Sequence, residues 1–140
     1  MRRGCAWLIG EDASGEMFTP ERLSDEHRLV AQTAAEFMAK EVLPQVAVLE
    51  QKHFPLMRSL LKRCGELGLI GTDVPERVGG VELDKVASVL VTEAFGAYAS
   101  FAAAFGAQSG LAIIPLLCFG NDEQQQRYLP RIISGDLAGA

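Results

Sequence analysis

The stretch SFAAAFGAQSGLAIIPLLCFG, residues 100–120, is the most apolar part of this 140-residue chain. It is nearly as long as the run of about 20 residues that a helix needs to cross a bilayer. Gln108, Ser109 and Pro115 interrupt it, and no lysine or arginine stands near either end as an interfacial anchor. We therefore expect no transmembrane span, but a helix over 100–118 that is buried on all sides inside a bundle.

Signals for helix starts divide the rest of the chain into further helices. Each start carries a capping side chain or a proline, and apolar residues then recur at spacings of three and four. The predicted starts are Thr19 or Ser24, Pro55, Asp84 and Asn121. Pro44 is expected to end or kink the first long helix, and Gly135 to follow the end of the last. With no strand-like alternation, the pattern predicts an all-α bundle of about five to six helices.

Composition and charge exclude several classes of protein. Hydrophobic residues make up 49% of the chain and charged residues 22%, which is too apolar for a disordered tail. The net charge is −5, and the one basic cluster (Arg58, Lys62 and Arg63) has the spacing of a solvated helix face, so we expect no nucleic-acid partner. The three cysteines lie far apart without metal-binding spacing, which predicts reduced thiols and no metal site.

Residues 1–18 are assigned to an N-terminal lead-in rather than to a signal peptide. The apolar run from Cys5 to Ile9 is shorter than a typical signal-peptide core, and the acidic residues Glu11 and Asp12 come almost directly after it. No small-residue cleavage site stands between this run and Thr19. The helical domain is therefore expected to cover residues 19–140.

No catalytic arrangement emerges from the residues themselves. His27 and His53 stand apart from any serine or cysteine nucleophile, so we interpret them as exposed or partly buried polar residues. The pair Gly79-Gly80 lacks the following Lys-Ser or Lys-Thr and the preceding strand of a phosphate loop, so it predicts a turn. Taken alone, the residues indicate a helical domain and no specific chemistry.

Several segments, in a fixed order, carry a family resemblance. They are EVLP (41–44), LGLIG (67–71), VPERVGG (74–80), FGNDEQ (119–124) and RYLPRIISGD (127–136). Each is a weak helix-and-turn pattern, but their order and spacing resemble the N-terminal helical domain of the acyl-CoA dehydrogenases. The residues before Thr19 also loosely resemble the long-chain and very-long-chain branch of that family.

This resemblance implies a larger, FAD-dependent enzyme that takes an α-proton and a β-hydride from an acyl-CoA thioester, as in fatty acid β-oxidation. In the family, a β-barrel and a second helical bundle follow this domain, and the flavin lies between them. The catalytic base and nearly all flavin contacts lie in those later parts, so we assign no catalytic and no cofactor-binding residue here. The resemblance also implies a homo-oligomer for the full-length protein and a cytoplasmic or mitochondrial-matrix location.

The feature that the resemblance transfers to this chain is an acyl-chain pocket between the helices predicted at 84–98 and 100–118. Its wall is expected to consist of Ala102, Phe105, Gly106, Ala107, Gly110 and Leu111. Small residues at Gly106 and Ala107 favour a pocket floor that is open to a long acyl chain. Close packing of two helices uses the same small residues and is the alternative interpretation.

A function of a different class also stays open. The chain is then a stand-alone, non-enzymatic helical module that binds an apolar ligand or a partner protein. In the family, this domain packs on two others, so in isolation we expect it to expose an apolar face and to self-associate.

Overall fold

The computed structural model describes residues 19–139, and every secondary-structure element in that range is helical. The α-helices are α1 (Asp25–Phe37), α2 (Val46–Leu49), α3 (Phe54–Glu66), α4 (Lys85–Phe95), α5 (Ala99–Phe119) and α6 (Asp122–Ile133). Short 3-10 turns lie at Pro20–Arg22 and Glu76–Val78. The all-α prediction is confirmed. The lead-in at 1–18 lies outside the described residues and stays a prediction.

Capping side chains begin α4 and α6 where the sequence predicts. Asn121 Oδ1 accepts a hydrogen bond from the Gln124 backbone N–H at 2.9 Å, and Gln124 Oε1 accepts one from the Asn121 N–H at 3.0 Å. Asp84 Oδ1 accepts from the Ala87 N–H at 3.0 Å. That bond, and then the contact with His27, hold the pKa of Asp84 below its usual value. Each cap satisfies a backbone donor that the helix itself leaves without a partner.

Both histidines cap helices, a role that the sequence analysis did not assign. The Ser24 N–H donates to His27 Nδ1, and the His27 N–H donates to Ser24 Oγ, both at 3.1 Å. His27 Nε2 also lies 2.9 Å from Asp84 Oδ1, so one imidazole joins the starts of α1 and α4. His53 Nδ1 accepts from the Leu56 N–H at 3.1 Å at the start of α3. These contacts give both side chains a structural role.

The first long helix changes its winding around Pro44, as predicted. Met38–Val42 forms a π-helical turn and Leu43–Gln45 a 3-10 turn, before α2 resumes regular geometry. Proline has no N–H to donate, and its ring clashes with the carbonyl four residues earlier, so it disturbs the regular hydrogen-bond pattern of the helix. The irregular turns still keep Met38 and Val42 buried against the core.

Four phenylalanine rings, which we call the aromatic cluster (Phe37, Phe95, Phe101 and Phe105), occupy the centre of the core. The Phe95 ring centroid lies 4.6 Å from that of Phe105 and 5.3 Å from that of Phe101, both edge to face. The Phe37 centroid lies 5.9 Å from Phe95 and 5.7 Å from Phe101. Such ring pairs contribute about 0.5–1.5 kcal/mol each beyond the area they bury. The cluster joins α1, α4 and the first turns of α5.

Two glycines allow α3 to lie directly against the end of α6. A Cβ added at Gly65 would be 2.5 Å from the Ser134 carbonyl carbon, which no side chain tolerates. Gly135 has a φ of +75°, and a Cβ there would be 2.6 Å from Lys62 Cα. Lys62 Nζ and Asp136 Oδ1 form an ion pair at 2.8 Å across the same contact. Gly135 thus follows the end of α6, as predicted, and also permits this close approach.

The prediction that the long apolar helix is buried on all sides is wrong. Of the 18 most apolar consecutive residues of α5, only 22% are buried. The buried residues of the helix are Phe101, Phe105, Gln108 and Ile113. The physical reason is that described neighbours cover one side of α5 and leave the other without contacts. Among residues 19–139, α5 is the one helix whose length and composition suit a membrane span, which is weak evidence because core helices meet the same criterion.

Candidate functional site

The two glycines of the predicted pocket wall face open space. A Cβ added at Gly106 or at Gly110 would meet no atom within 4 Å, apart from the helix's own backbone and chain neighbours. Close packing of a second helix, the alternative interpretation of these small residues, is therefore not formed on this face by the described part of the chain. The two glycines carry no side chain, and no other described residue fills the space beside them.

The six predicted residues do not line one closed pocket. Phe105 is 6% exposed and its ring belongs to the aromatic cluster, whereas Leu111 is 71% exposed. The space between α4 and α5 at this level is filled by the rings of Phe95, Phe101 and Phe105. An apolar ligand therefore has room on the outer side of α5, beside Gly106 and Gly110, and not between the aromatic rings.

The open surface extends further along α5 than the sequence analysis expected. Residues at a spacing of four share one side of a helix. We call this side the open face of α5, and it comprises Gly106, Ala107, Gly110, Leu111 and Ile114. Ile114 is 48% exposed, and its place on this side was missed because the helix was expected to be buried all round. An exposed apolar face, which the sequence analysis expected for the domain in isolation, is therefore present on α5.

Gln108 anchors α5 from the opposite side, and the sequence analysis took it only as an interruption of the apolar run. The residue is 1% exposed. Its Nε2 donates to the carbonyl oxygens of Ile132 and Leu137, both at 2.7 Å. Its Oε1 accepts from the Gly139 N–H at 2.7 Å. One amide therefore ties α5 to the end of α6 and to the residues just beyond it.

Gln108 lies in a π-helical stretch, Ala107–Ile113, at the middle of α5. Such stretches are rare and occur often at functional sites, because the wider turn redirects the side chains beyond it. Here the widened turns span Gly110 and Leu111, so the same stretch that buries the amide on one side carries the open face on the other. Gln108 is thus a candidate positioning residue for that face.

Several clefts are formed by other parts of the described chain. One of about 430 Å³ lies between α3 and the start of α5, and its lining includes Phe54, Met57 and Ala104. Another of about 580 Å³ runs along α4. Neither contains a residue of the predicted pocket wall. The open face of α5 is a surface rather than a cleft within residues 19–139.

No reactive centre is assembled by residues 19–139. They contain no group of three or more His, Cys, Asp or Glu side chains placed to hold a metal ion. Cys64 is a free thiol whose pKa is raised because burial disfavours the thiolate. Gly79 has a φ of +93°, and a Cβ at Gly80 would collide with the Val74 carbonyl, so the pair forms the predicted turn and no phosphate-binding cradle.

Comparison with known proteins agrees with this helical architecture. A model of the family described as acyl-CoA dehydrogenase, N-terminal domain, matches residues 24–136. The chain belongs to the acyl-CoA dehydrogenase family. A Bacillus subtilis protein named "Probable acyl-CoA dehydrogenase" is 40% identical over 140 residues, which is 100% of this chain and 24% of that protein. Orangutan (Pongo abelii) mitochondrial isovaleryl-CoA dehydrogenase is 35% identical over 120 residues, 84% of this chain and 28% of the relative.

Solved structures of acyl-CoA dehydrogenases have the same fold. The crystal structure of a Bacillus anthracis acyl-CoA dehydrogenase complexed with FAD matches with a TM-score of 0.84 and 46% identity, over 87% of this chain and 21% of that one. The Geobacillus kaustophilus enzyme matches with a TM-score of 0.73 and 27% identity, over 86% and 31%. The chain thus spans between a fifth and a third of the length of these acyl-CoA dehydrogenases.

Proposed function

We propose that this chain is the leading domain of an FAD-dependent acyl-CoA dehydrogenase and that α5 supplies one wall of its acyl-chain pocket. The whole protein would remove hydrogen across the α,β-bond of an acyl-CoA thioester. The family model over residues 24–136 supports the first statement. The open face of α5 supports the second, because Leu111 and Ile114 are exposed there and a Cβ at Gly106 or Gly110 would meet no described neighbour within 4 Å.

The observation that carries the pocket wall is the empty space over Gly106 and Gly110. An acyl chain laid on this face removes its own methylenes and the exposed side chains of Leu111 and Ile114 from water. Burying a methylene stabilises by about 0.8 kcal/mol, so every further methylene that reaches the face adds to binding. We infer from this a preference for long acyl chains. The relatives do not indicate which acyl-chain length is preferred, since they include isovaleryl-CoA and short-chain enzymes.

The chemistry itself is assigned to other parts of the protein. The Bacillus anthracis structure, which is complexed with FAD, supports FAD as the cofactor of the whole enzyme. The pair Gly79-Gly80 forms a closed turn against Val74 and offers no cradle for it, and we route no step through the flavin. Homo-oligomerisation belongs to the same proposal. A bacterial relative and mitochondrial relatives favour a cytoplasmic or matrix location.

Chain-length preference in the complete enzyme tests the wall. In Gly106→Leu, the new side chain occupies the space that the acyl chain needs, so kcat/KM for a long acyl-CoA is expected to fall relative to a short one. One methylene in an apolar pocket changes specificity by about 1–3 kcal/mol, so the ratio should fall by at least roughly tenfold. Ser59→Leu adds the same side chain at an exposed position on α3, away from α5, and should leave the ratio unchanged.

The outcomes separate the pocket from the family activity. An unchanged ratio in Gly106→Leu would contradict the wall and leave the dehydrogenase assignment standing. A complete, folded protein without flavin absorbance, or with flavin that no acyl-CoA bleaches under anaerobic conditions, would contradict the activity itself. That second outcome would favour the stand-alone helical module, whose apolar ligand or partner would then be sought on the same face.

A further inference from the structure

A cleft of about 430 Å³ lies between α3 and the first turns of α5, and we call it the α3 cleft. Apolar side chains provide most of its surface, namely those of Leu49, Phe54, Met57 and Ala104. Phe54 is 69% exposed at the start of α3. An apolar ligand that covers such a ring is favoured, because it removes apolar surface from water. The α3 cleft is therefore both large enough and apolar enough to bind a ligand.

The polar groups at the rim of the α3 cleft are already engaged or lie in solvent. Glu50 Oε1 accepts a hydrogen bond from the Tyr98 hydroxyl at 2.6 Å. His53 Nδ1 accepts one from the Leu56 backbone N–H at 3.1 Å. Lys52 is exposed, and its long side chain keeps the ammonium group in water. The rim therefore does not call for a charged ligand, and the cleft suits an uncharged apolar chain end.

The α3 cleft and the open face of α5 share one side of the helix. Ala104 lines the cleft, and Ala107 and Leu111 belong to the open face. Helical residues three and four positions apart are neighbours on one side, so these three residues form a continuous row. The row rises by about 10 Å from Ala104 to Leu111. A ligand that lies on the open face and extends toward the start of α5 therefore reaches the cleft.

We propose that the α3 cleft binds the methyl end of a long acyl chain, whose preceding methylenes lie along the open face of α5. This inference rests on the proposed function, because it extends the acyl-chain wall. The direction follows from the space available. CoA is too bulky for a cleft of this volume, whereas the described residues leave open space over Gly110 in the second half of α5. Only chains long enough to pass Ala104 then gain contacts with α3.

Met57 is the residue that tests this specificity, because it is half-buried in the lining of the α3 cleft. In the complete enzyme, Met57→Trp fills the cleft. It should lower kcat/KM for the longest acyl-CoA thioesters by at least roughly tenfold relative to that for butyryl-CoA. Met57→Ala enlarges the cleft and should extend efficient turnover to longer chains. Ser59→Trp is the matched control, since Ser59 is exposed on α3 and lies outside the lining.

Hydrogen exchange of the unaltered enzyme gives a second readout that needs no variant. A long-chain acyl-CoA should slow exchange at the start of α3, around Leu56 and Met57, and butyryl-CoA should not. Equal protection by both thioesters would overturn the proposal. So would a dependence of kcat/KM on chain length that neither Met57 variant alters, or a loss in Met57→Trp that is the same for every chain length. If Gly106→Leu still reduces long-chain turnover in those cases, the wall stands and only the cleft is rejected.

Discussion

The two halves of α5 have similar apolar sequences and opposite surroundings. The first half, Ala99–Gly106, places Phe101 and Phe105 in the aromatic cluster, where they are 0% and 6% exposed. The second half leaves Leu111, Ile114 and Phe119 in contact with solvent, at 71%, 48% and 89% exposure. Composition therefore does not decide burial within this helix. The neighbours that each half meets decide it.

Those neighbours differ in kind. The first half meets aromatic rings from α1 and α4, so its phenylalanines interlock edge to face. The second half contacts α6 on one side, where Gln108 Nε2 donates to the Ile132 carbonyl and Gln125 Nε2 donates to the Leu117 carbonyl. The first half therefore fixes the helix in the domain, and the second half presents an apolar surface. Under the proposed function, the acyl chain covers that surface.

Truncating one phenylalanine in each half should produce the largest contrast. Phe101→Ala leaves a cavity in the aromatic cluster and removes two ring contacts, so we expect the free energy of unfolding to fall by about 3–5 kcal/mol. Phe119→Ala removes a ring that is already in solvent, so the change should stay within roughly 0.5 kcal/mol. Urea denaturation followed by circular dichroism measures both. Equal losses in the two variants would contradict the division of α5.

Removing the amide of Gln108 should have an intermediate effect, confined to the anchor of the second half. In Gln108→Leu, the Leu137 carbonyl and the Gly139 N–H lose their partner, and the Ile132 carbonyl keeps the Gly135 N–H. Leaving such buried groups without a partner costs roughly 1–3 kcal/mol. Hydrogen exchange should accelerate first at the Gly139 amide.

Ser109→Ala is the control for that experiment. The Ser109 hydroxyl donates only to the Phe105 carbonyl one turn earlier, so its loss should change stability by less than about 0.5 kcal/mol. A Gln108→Leu variant as stable as this control would show that other contacts, such as that of Gln125 Nε2 with the Leu117 carbonyl, hold the second half. In that case the buried amide of Gln108 would not be needed to stabilise the π-helical stretch.

The sequence predicts the helices well because their signals are local. Asp84 and Asn121 cap their helices through residues three positions later, and Pro44 alters the winding that surrounds it. Each of these effects depends on a few consecutive residues. The same holds for the turn at Gly79 and for the end of α6 before Gly135.

Long-range partners were not predictable in the same way. Nothing near Gln108 in the sequence indicates that it binds the backbone some 24 and 29 positions later. The burial of Phe105 and the exposure of Leu111 likewise depend on which helices reach α5. Apolar periodicity reports how much surface is available for packing, and not how much of it this chain covers. The pocket wall predicted from the family resemblance stays a prediction for that reason.

Charging the open face should have the smallest effect on stability and a clear effect on association. In Leu111→Lys combined with Ile114→Lys, both new side chains extend into solvent, so the free energy of unfolding should change by no more than roughly 1 kcal/mol. Exposed apolar patches drive association, so we expect the unaltered chain to self-associate and to bind a dye for apolar surface. The double variant should do both less.

Gln51→Lys combined with Ser59→Lys is the matched control, since both residues are exposed, lie outside α5 and add the same charge. Sedimentation velocity of the three proteins at equal concentration then locates the association surface. Loss of self-association in the double variant alone assigns that surface to the second half of α5. Equal loss in the control would mean that added positive charge, and not the removal of apolar surface, keeps the molecules apart, because the net charge of −5 makes each lysine a substantial change.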